Sequence, residues 1–435
     1  MTKSLKLSLL ALFLFQILIA ANFELAHDEA YYWLYSKNLA WGYFDHPPFV
    51  GWVIKAFSFL GHNELAVRIG FIVLQFITVL ILIGLGSSPW IATLLFFSFP
   101  LASFTGLLAL PDIPLLFMAA VYCYYLKRYL EADSFKNTAL LGISIALLFY
   151  AKYHGVLLVF FTMIAIPKLL LRRSFYLVAL VAIIGFFPHM LWQYQHDFAT
   201  LRYHFIERPS SSFSIKRSLE FLGLQVVLAG VFAGPVVWWG IFKNKSKTSF
   251  DRAMKVISIG TVAFFLFSSL SKKTEANWTI FLAVPLILFV SNLEVWKKKA
   301  VHKLLVLSCG LVVVLRLVFV LPPEFVKIKR ANEFHGWEKW AKEVEQKCLP
   351  ESIVGNTYQI ASKLSYYLNQ EIGSLNIHSR KNQFDYWQFE KNVPTKEVCY
   401  ISNNSQYGEE EIFTPEGKSL HILKNQSIEK LKQLK

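Results

Sequence analysis

Residues 7–49 read "LSLLALFLFQILIAANFELAHDEAYYWLYSKNLAWGYFDHPPF". The first part, residues 7–26, is apolar and long enough to cross the hydrocarbon core of a bilayer. No small-residue cleavage site follows it, so the pattern predicts a retained helix rather than a removed signal peptide. The second part opens with His-Asp-Glu, runs through many aromatics and ends in Asp-His-Pro-Pro. Acidic groups beside a membrane segment need an explanation, because charge is costly there.

The composition places the whole chain in a membrane. Of its 435 residues, 55% are hydrophobic and only 17% are charged, and the mean hydropathy is positive. A soluble domain carries about 25% charged residues. The net charge of +15 could point to nucleic acid. However, the basic residues sit in short loops between apolar runs, as the positive-inside rule predicts, and this distribution argues against a nucleic-acid partner.

About eleven apolar segments are long enough to span a bilayer. They are residues 7–26, 66–86, 89–109, 113–130, 138–152, 154–171, 174–191, 218–242, 253–271, 278–296 and 301–321. When Lys3 and Lys6 are placed in the cytoplasm, the loops on that side collect basic residues. These are Lys127, Arg128, Lys136, Arg172, Arg173, Lys243, Lys245, Lys247, Arg252, Lys255, Lys297, Lys298, Lys299 and Lys303. The positive-inside rule therefore predicts a cytoplasmic N-terminus.

An odd number of spans leaves the tail outside the cytoplasm. We therefore divide the chain into a transmembrane domain, residues 1–321, and a soluble extracytoplasmic domain, residues 322–435. "SIVGNT" and "KEVCYIS" have the pattern of short strands, and "TYQIASKLSYYLN" has helical spacing, so we predict a small α/β domain. Cys348 and Cys399 both fall in this tail, and the sequence leaves open whether they pair.

Every outer loop between spans carries polar or titratable groups. They are His27, Asp28, Glu29, Asp45 and His46; Asp112; Lys152, Tyr153 and His154; Arg202, His204, Glu207 and Arg208; and Lys272, Lys273, Glu275 and Asn277. Five loops that converge on one face favour a functional site, since such groups at membrane depth are costly.

Each group also has a simpler explanation. Asp28 could cap an interfacial helix, and Asp112 could cap the span that begins at Ile113. Lys152 and Lys273 could extend to the lipid headgroups. The apolar stripe of the interfacial helix would be Ala30, Trp33, Leu34 and Trp41. An aromatic belt at the membrane surface is favoured over a sugar-stacking platform for Tyr31, Tyr32, Trp33, Tyr35 and Trp41. A second interfacial helix is expected at residues 49–60, after Pro47 and Pro48.

The motifs restrict the chemistry. The sequence has no P-loop, no zinc-ligand spacing and no D-x-D pair of the kind that holds a metal against a nucleotide sugar. Isolated carboxylates with scattered cations suit a sugar carried on a lipid monophosphate. One carboxylate can deprotonate the attacking hydroxyl, and cations can stabilise the departing phosphate. The glycosyl centre would pass through an oxocarbenium-like state.

Four stretches together resemble a known family: "HDEAYYWLYSKNLAWGYFDHPPFVGW", "LPDIPLLF", "AKYHGVLL" and "EANWTIFLAVP". They look like the bacterial polyprenyl-phosphate-sugar glycosyltransferases, a branch similar to the protein O-mannosyltransferases and the lipid A aminoarabinose transferases. The resemblance covers about residues 7–320, and "TYQIASKLSYYL" with "RKNQFDYW" resembles the tails of this branch more loosely. It implies the mainly α, polytopic GT-C fold.

The resemblance also implies roles for individual residues. Asp28 would be the catalytic carboxylate, supported by Glu29, and Asp112 would be the second carboxylate of the site. Asp45 and His46 stand where aminoarabinose transferases carry Glu-Lys, of which the lysine helps to bind the lipid phosphate and the acid sits by a metal. A divalent metal at Asp45 and His46 is therefore allowed but not required. The expected substrate- or phosphate-binding residues are Lys152, Tyr153, His154, Arg202, Arg208, Lys273, Glu275, Asn277 and His46.

These observations predict a multi-pass glycosyltransferase of the bacterial inner membrane. It would move a sugar, with inversion, from a polyprenyl phosphate to an envelope acceptor on the periplasmic face. Lipid A or another glycan is favoured over protein as that acceptor. The alternatives are a secondary transporter or lipid flippase, which would place its charges nearer the bilayer midplane on broken helices, and a non-catalytic scaffold.

Overall fold

The structure is a computed structural model that describes residues 1–207, 212–320, 329–393, 397–404 and 410–433. Helices account for most of the described residues up to Val320. The α-helices there are α1 (Lys3–Ala20), α2 (His27–Lys37), α3 (Phe49–Phe57), α4 (Glu64–Gly84), α5 (Pro89–Ser98), α6 (Pro100–Phe104), α7 (Asp112–Glu131), α8 (Phe135–Ala151), α9 (Val156–Ala165), α10 (Arg173–Gln195), α11 (Ala199–Arg202), α12 (Ile215–Leu228), α13 (Gly234–Lys243), α14 (Ser249–Ser269), α15 (Ala283–Val290) and α16 (Lys299–Val320).

Helices occupy all eleven predicted spans, either singly or in tandem. Among the described residues, four are long and apolar enough to cross a membrane by themselves: α1, α4, α10 and residues Lys299–Val318 of α16. A fifth span results if the bent pair Pro89–Ser98 and Pro100–Leu107 counts as one. Shorter apolar helices, such as α8 and α9, fill other predicted spans. The chain is a multi-pass membrane protein, as predicted.

The bent pair shows how a break in a membrane helix is stabilised. Phe99 precedes Pro100 and is extended, a conformation that proline favours in the residue before it, and the two helices meet at 91°. Carbonyls of the short α6 are then satisfied from other spans. Gln75 of α4 donates to the Ala102 carbonyl at 2.6 Å, and Arg316 of α16 donates to Ser103 Oγ at 2.6 Å and to the Ser103 carbonyl. Buried backbone groups in a membrane need such partners.

The tail is an α/β domain, as predicted. Its helices are α17 (Trp337–Cys348), α18 (Tyr358–Tyr367), α19 (Phe384–Trp387) and α20 (Ile428–Lys432), and its strands are β1 (Ser352–Gly355), β2 (Gly373–Ser374), β3 (Glu397–Ser402), β4 (Glu410–Phe413) and β5 (Ser419–Ser427). The sheet order is β2-β1-β3-β5-β4. Strand β1 pairs in parallel with β2 and β3, whereas β5 pairs antiparallel with β3 and β4. Cys348 and Cys399 form a disulfide with Cα atoms 5.5 Å apart.

The chain does not divide at residue 321. One compact unit comprises Met1–Ile17, His46–Val50 and Ile69–Arg316, and the other comprises Leu18–Asp45, Gly51–Arg68 and Leu317–Lys435. The second unit therefore joins the tail to most of the first outer loop. The physical reason is aromatic packing, since Tyr31 and Trp33 of α2 contact Tyr358 and Tyr366 of α18 at ring-centroid distances of 4.8 and 5.2 Å.

Candidate active site

The first turn of α2 carries Asp28 and Glu29, which have different surroundings. The helix begins at His27 after the N-cap Ala26, so Asp28 is not the cap residue. Glu29 instead accepts a hydrogen bond from the Ala26 N–H at 2.8 Å. Glu29, rather than Asp28, therefore satisfies a free backbone N–H at the start of the helix.

Glu29 forms a buried ion pair with Arg68 of α4. The guanidinium donates to both carboxylate oxygens, at 2.8 and 2.7 Å, and neither side chain is exposed. Arg68 also donates to the carbonyls of Ala20, Phe23 and Glu24 at 2.7–2.8 Å. These bonds fix the chain immediately before Asp28. Glu29 is therefore a positioning group, because it is fully buried and engaged by Arg68.

Asp28 is partly exposed and accepts a hydrogen bond from the Tyr358 hydroxyl at 3.0 Å. Burial raises the pKa of its carboxyl above the usual range, and the nearby Glu333 carboxylate raises it further. The hydrogen bond from Tyr358 acts in the opposite direction. The arrangement gives an accessible carboxylate with elevated basicity, which is what a general base for a hydroxyl requires.

The tail holds the segment around Asp28 at further points. Glu333 accepts the His27 N–H at 3.0 Å, and Lys363 of α18 donates to the Leu25 carbonyl and, at 3.0 Å, to the Glu333 carbonyl. Burial lowers the pKa of Lys363 to about 7. Burying a lysine costs free energy unless its ammonium group is hydrogen-bonded. These contacts therefore stabilise the buried Lys363 and fix it against the first loop.

Asp45 lies in the same compact unit as Asp28. Tyr31 donates its hydroxyl to one carboxylate oxygen at 2.6 Å, and Arg380 of the tail donates to the other at 2.8 Å. His46 is half-buried. Among the described residues no group of three or more His, Cys, Asp or Glu side chains could hold a metal ion. Asp45 and His46 supply only two such side chains, and a metal at this pair stays a prediction.

The aromatic belt predicted for the first loop is wrong for most of its members. Tyr31, Tyr32, Trp33 and Tyr35 are all buried, packed among tail aromatics such as Tyr358, Phe384 and Trp387. Trp41 is 53% exposed and lies beyond the end of α2, so it does not belong to the helical stripe. The sequence could not show that the tail would cover this helix. The helix predicted at residues 49–60 is confirmed as α3 followed by Ser58–Leu60.

The first compact unit brings together three of the predicted site residues. Asp112, the first residue of α7, accepts from Lys152 at 3.0 Å and from Asn277 at 3.3 Å. Asp112 and Lys152 are 2% and 4% exposed, so the lysine does not extend to the headgroups and the aspartate side chain is not a helix cap. The three side chains therefore form a cluster in which a lysine and an amide both donate to one buried carboxylate.

In this unit Tyr153 belongs to a hydrogen-bonded polar cluster, and His154 belongs to an aromatic cluster. Tyr153 exchanges a hydrogen bond with His189 at 2.8 Å and accepts from Gln193 at 2.8 Å, and Gln193 also donates to Thr200 at 2.8 Å. His154 packs against Phe265 and Trp278, at ring distances of 5.7 and 5.3 Å.

The remaining candidates lie on exposed surfaces or outside the described residues. Lys273 pairs with Glu275 at 3.1 Å and Arg202 with Glu207 at 3.7 Å, and all four side chains are at least 41% exposed. Exposed ion pairs of this kind contribute little to stability, and they do not line a buried site. The His204 side chain and all of Arg208 fall outside the part of the chain that the structure describes.

Sequence reasoning missed Arg68, Tyr358, Lys363 and Arg380. The sequence did contain a sign of Arg68, because it lies near the start of a predicted span. A charged side chain in a membrane span is energetically costly and therefore suggests a functional role. The other three are tail residues, and only their proximity in space to the first loop reveals their role.

Comparison with known proteins shows which proteins the chain is similar to. Residues 45–192 match the family described as dolichyl-phosphate-mannose-protein mannosyltransferase. The lipid A galacturonosyltransferase RgtD of Rhizobium johnstonii is 25% identical over 274 residues, which cover 58% of this chain and 57% of RgtD. The chain thus matches little more than half the length of that relative.

Two crystal structures of ArnT from Cupriavidus metallidurans are similar over nearly the whole chain. The apo form has a TM-score of 0.70 at 13% identity, with 98% of both chains covered. The form bound to undecaprenyl phosphate has a TM-score of 0.68 at 14% identity, with 98% of this chain and 99% of ArnT covered. This chain has the polytopic GT-C fold. The fold predicted from the resemblance is therefore confirmed, and the match covers both the membrane part and the tail.

Proposed function

We propose that this protein is a membrane glycosyltransferase that moves a sugar from a polyprenyl phosphate to an envelope acceptor. The GT-C fold and the relative that acts on lipid A support this proposal. The observation that carries it is Asp28, a partly exposed carboxylate with a raised pKa that is fixed by its neighbours. Such a carboxylate suits proton abstraction from a hydroxyl.

In the proposed reaction Asp28 removes the proton from the acceptor hydroxyl as the oxygen attacks the anomeric carbon. The bond from that carbon to the lipid phosphate breaks, and the phosphate leaves with the electron pair. Attack opposite the leaving group inverts the anomeric centre. Tyr358 orients the base, and the Glu29–Arg68 pair fixes its helix. In the first unit Asp112 is held by Lys152 and Asn277, and its part as a second site carboxylate stays a prediction.

The acceptor and the compartment belong to the proposal as well. A glycolipid such as lipid A, or another envelope glycan, is favoured over protein because the matched relative is a lipid A transferase. We place the site and the tail on the periplasmic face of the bacterial inner membrane. The basic loops support a cytoplasmic N-terminus, and the Cys348–Cys399 disulfide supports an oxidising compartment for the tail. No cofactor is assigned.

Replacement of Asp28 tests the proposal. Asp28→Asn keeps the shape of the side chain but removes the base, so we expect transfer to be abolished. Because burial disfavours the charged carboxylate, this variant should be at least as stable as the wild type. Mass spectrometry of envelope lipids from cells with and without the protein would give the product, and thermal unfolding in detergent would give the stability.

Asp133→Asn is the matched control, since Asp133 is exposed between α7 and α8. It should transfer sugar like the wild type. Full transfer by Asp28→Asn would refute the assignment of the base. Identical envelope lipids with and without the wild-type protein would refute the proposed transferase.

A further inference from the structure

A loop of the tail carries an exposed group of basic side chains. It lies between β2 and α19 and is called here the basic loop, residues 378–381, with the sequence His-Ser-Arg-Lys. The side chains of His378, Arg380 and Lys381 are all exposed. Arg380 and Lys381 begin the stretch "RKNQFDYW", but the sequence patterns gave none of these residues a role.

Buried amides and a carboxylate fix both ends of the basic loop. Asn376 donates to Asp385 at 2.9 Å, and Asn382 donates to the Asn376 side chain at 2.8 Å. The Asn382 N–H also donates to Asp385 at 2.9 Å. Asn376 and Asn382 are each 1% exposed. The loop is thus held on a buried polar base, and the position of its arginine is defined by the fold.

Arg380 extends from this loop to the neighbourhood of Asp28. Its guanidinium donates to Asp45 at 2.8 Å and lies 5.8 Å from the ring centre of Tyr358, whose hydroxyl donates to Asp28. The side chain is 44% exposed, whereas Asp45 is 9% exposed. The exposed guanidinium is thus connected to the proposed base through Tyr358, within one compact unit.

Three described cations that were candidates for phosphate binding are placed differently. Lys152 is buried against Asp112, and Lys273 lies on an exposed surface with Glu275. Arg202 lies on an exposed surface with Glu207. Arg380 combines exposure with a fixed position and a guanidinium that matches phosphate geometry.

We propose that Arg380 binds a phosphate group of a lipid substrate. This inference rests on the proposed function and assigns the tail a part in it. Asp45 is the resident oxyanion that positions the guanidinium, and the phosphate would share the guanidinium with Asp45 or displace it. Asp45 would keep its hydrogen bond from Tyr31 in either case. The positive charge then stabilises the phosphate as it departs from the sugar.

Binding measurements on the full-length protein in detergent separate this site from the transfer reaction. The probes are undecaprenyl phosphate and undecaprenol, which differ only in the phosphate, with intrinsic tryptophan fluorescence as the readout. We expect Arg380→Gln to weaken undecaprenyl phosphate binding by about tenfold or more, as for a lost hydrogen bond to a charged group. Undecaprenol binding should not change. The matched control is Lys391→Gln, which removes one exposed positive charge of the same tail outside the loop.

Replacement of the resident carboxylate gives a second, opposite expectation. Asp45→Asn removes the anion that competes for Arg380, so undecaprenyl phosphate should bind more tightly. A purely structural Arg380–Asp45 pair would predict no gain in this variant. Arg380→Lys keeps the charge but loses the planar fork, and it should lie between the wild type and Arg380→Gln. If Arg380→Gln unfolds at a lower temperature than the wild type, Arg380→Lys replaces it in the binding measurements.

A second arm identifies the source of the phosphate. The same variants are titrated with lipid A before and after enzymatic removal of its phosphates. Weakening with undecaprenyl phosphate assigns Arg380 to the donor, and weakening only with phosphorylated lipid A assigns it to the acceptor. If Arg380→Gln still prefers the phosphorylated over the phosphate-free lipid as strongly as the wild type does, in both arms, the inference is overturned. The proposed function would then stand if the wild type still transfers sugar. Absence of transfer by the wild type would instead refute the function.

Discussion

At Asp28 two opposing contributions set the pKa of the proposed base. Burial and the Glu333 carboxylate raise it, and the Tyr358 hydroxyl lowers it by donating to the charged form. The base must be ionised to accept a proton, so transfer should fall as the pH falls through this pKa. The acidic limb of the pH profile therefore responds to changes around the Asp28 carboxyl.

Tyr358→Phe tests this balance. Loss of the hydroxyl removes the contribution that lowers the Asp28 pKa, so the acidic limb should move to higher pH while transfer on the alkaline side is largely retained. The measurement is the rate of transfer from a purified lipid-linked donor over a pH series. Tyr366→Phe is the matched control on the same helix, since within the described residues its buried hydroxyl has no hydrogen-bond partner. An acidic limb that stays in place in Tyr358→Phe would contradict the role assigned to this hydroxyl.

At the scale of elements, the position of α2 depends on Arg68. This arginine reaches from α4 to Glu29 and to three carbonyls of the chain before α2. Removing one member of a buried ion pair leaves the other charged and unpaired, which costs about 3–5 kcal/mol. The pair therefore couples the start of the first long internal span to the helix that carries the base.

Arg68→Met should lower the free energy of unfolding by about 3–5 kcal/mol, because Glu29 is left buried without its partner. Addition of Glu29→Gln should recover part of that loss but not all of it, since the carbonyls of Ala20, Phe23 and Glu24 still lack their donor. Thermal or denaturant unfolding in detergent measures both variants. A double variant no more stable than Arg68→Met would show that the ion pair contributes less than the carbonyl contacts.

The extent to which the sequence predicted this molecule differs between its parts. Long apolar runs located the spans, and strand-like patterns located β1 and β3 of the tail, because burial in lipid or in a sheet selects apolar residues along the chain. Asp28, Asp112 and Lys152 were found because charged groups in such surroundings are conspicuous. The partners Tyr358, Lys363 and Arg380 could not be found in this way. They lie more than 300 residues from the first loop and meet it only through tertiary packing.

For the whole molecule, the disulfide links the fold of the tail to its compartment. It joins the end of α17 to β3 across 51 residues, and a closed loop of this size contributes about 4 kcal/mol to stability. Such bonds persist in oxidising compartments and are rare in the cytoplasm. A tail outside the cytoplasm should therefore contain the intact bond in cells, whereas a cytoplasmic tail should contain two thiols.

Thiol counting on protein trapped directly from cells distinguishes these cases. The denatured chain should react with maleimide at Cys123 and Cys309 alone when no reductant is present, and at all four cysteines after reduction. The double variant Cys348→Ser, Cys399→Ser should label identically with and without reductant, and its tail should be more sensitive to protease because the cross-link is lost. Labelling of four thiols in the unreduced wild type would contradict an extracytoplasmic tail, and with it the periplasmic placement of Arg380 and the site around Asp28.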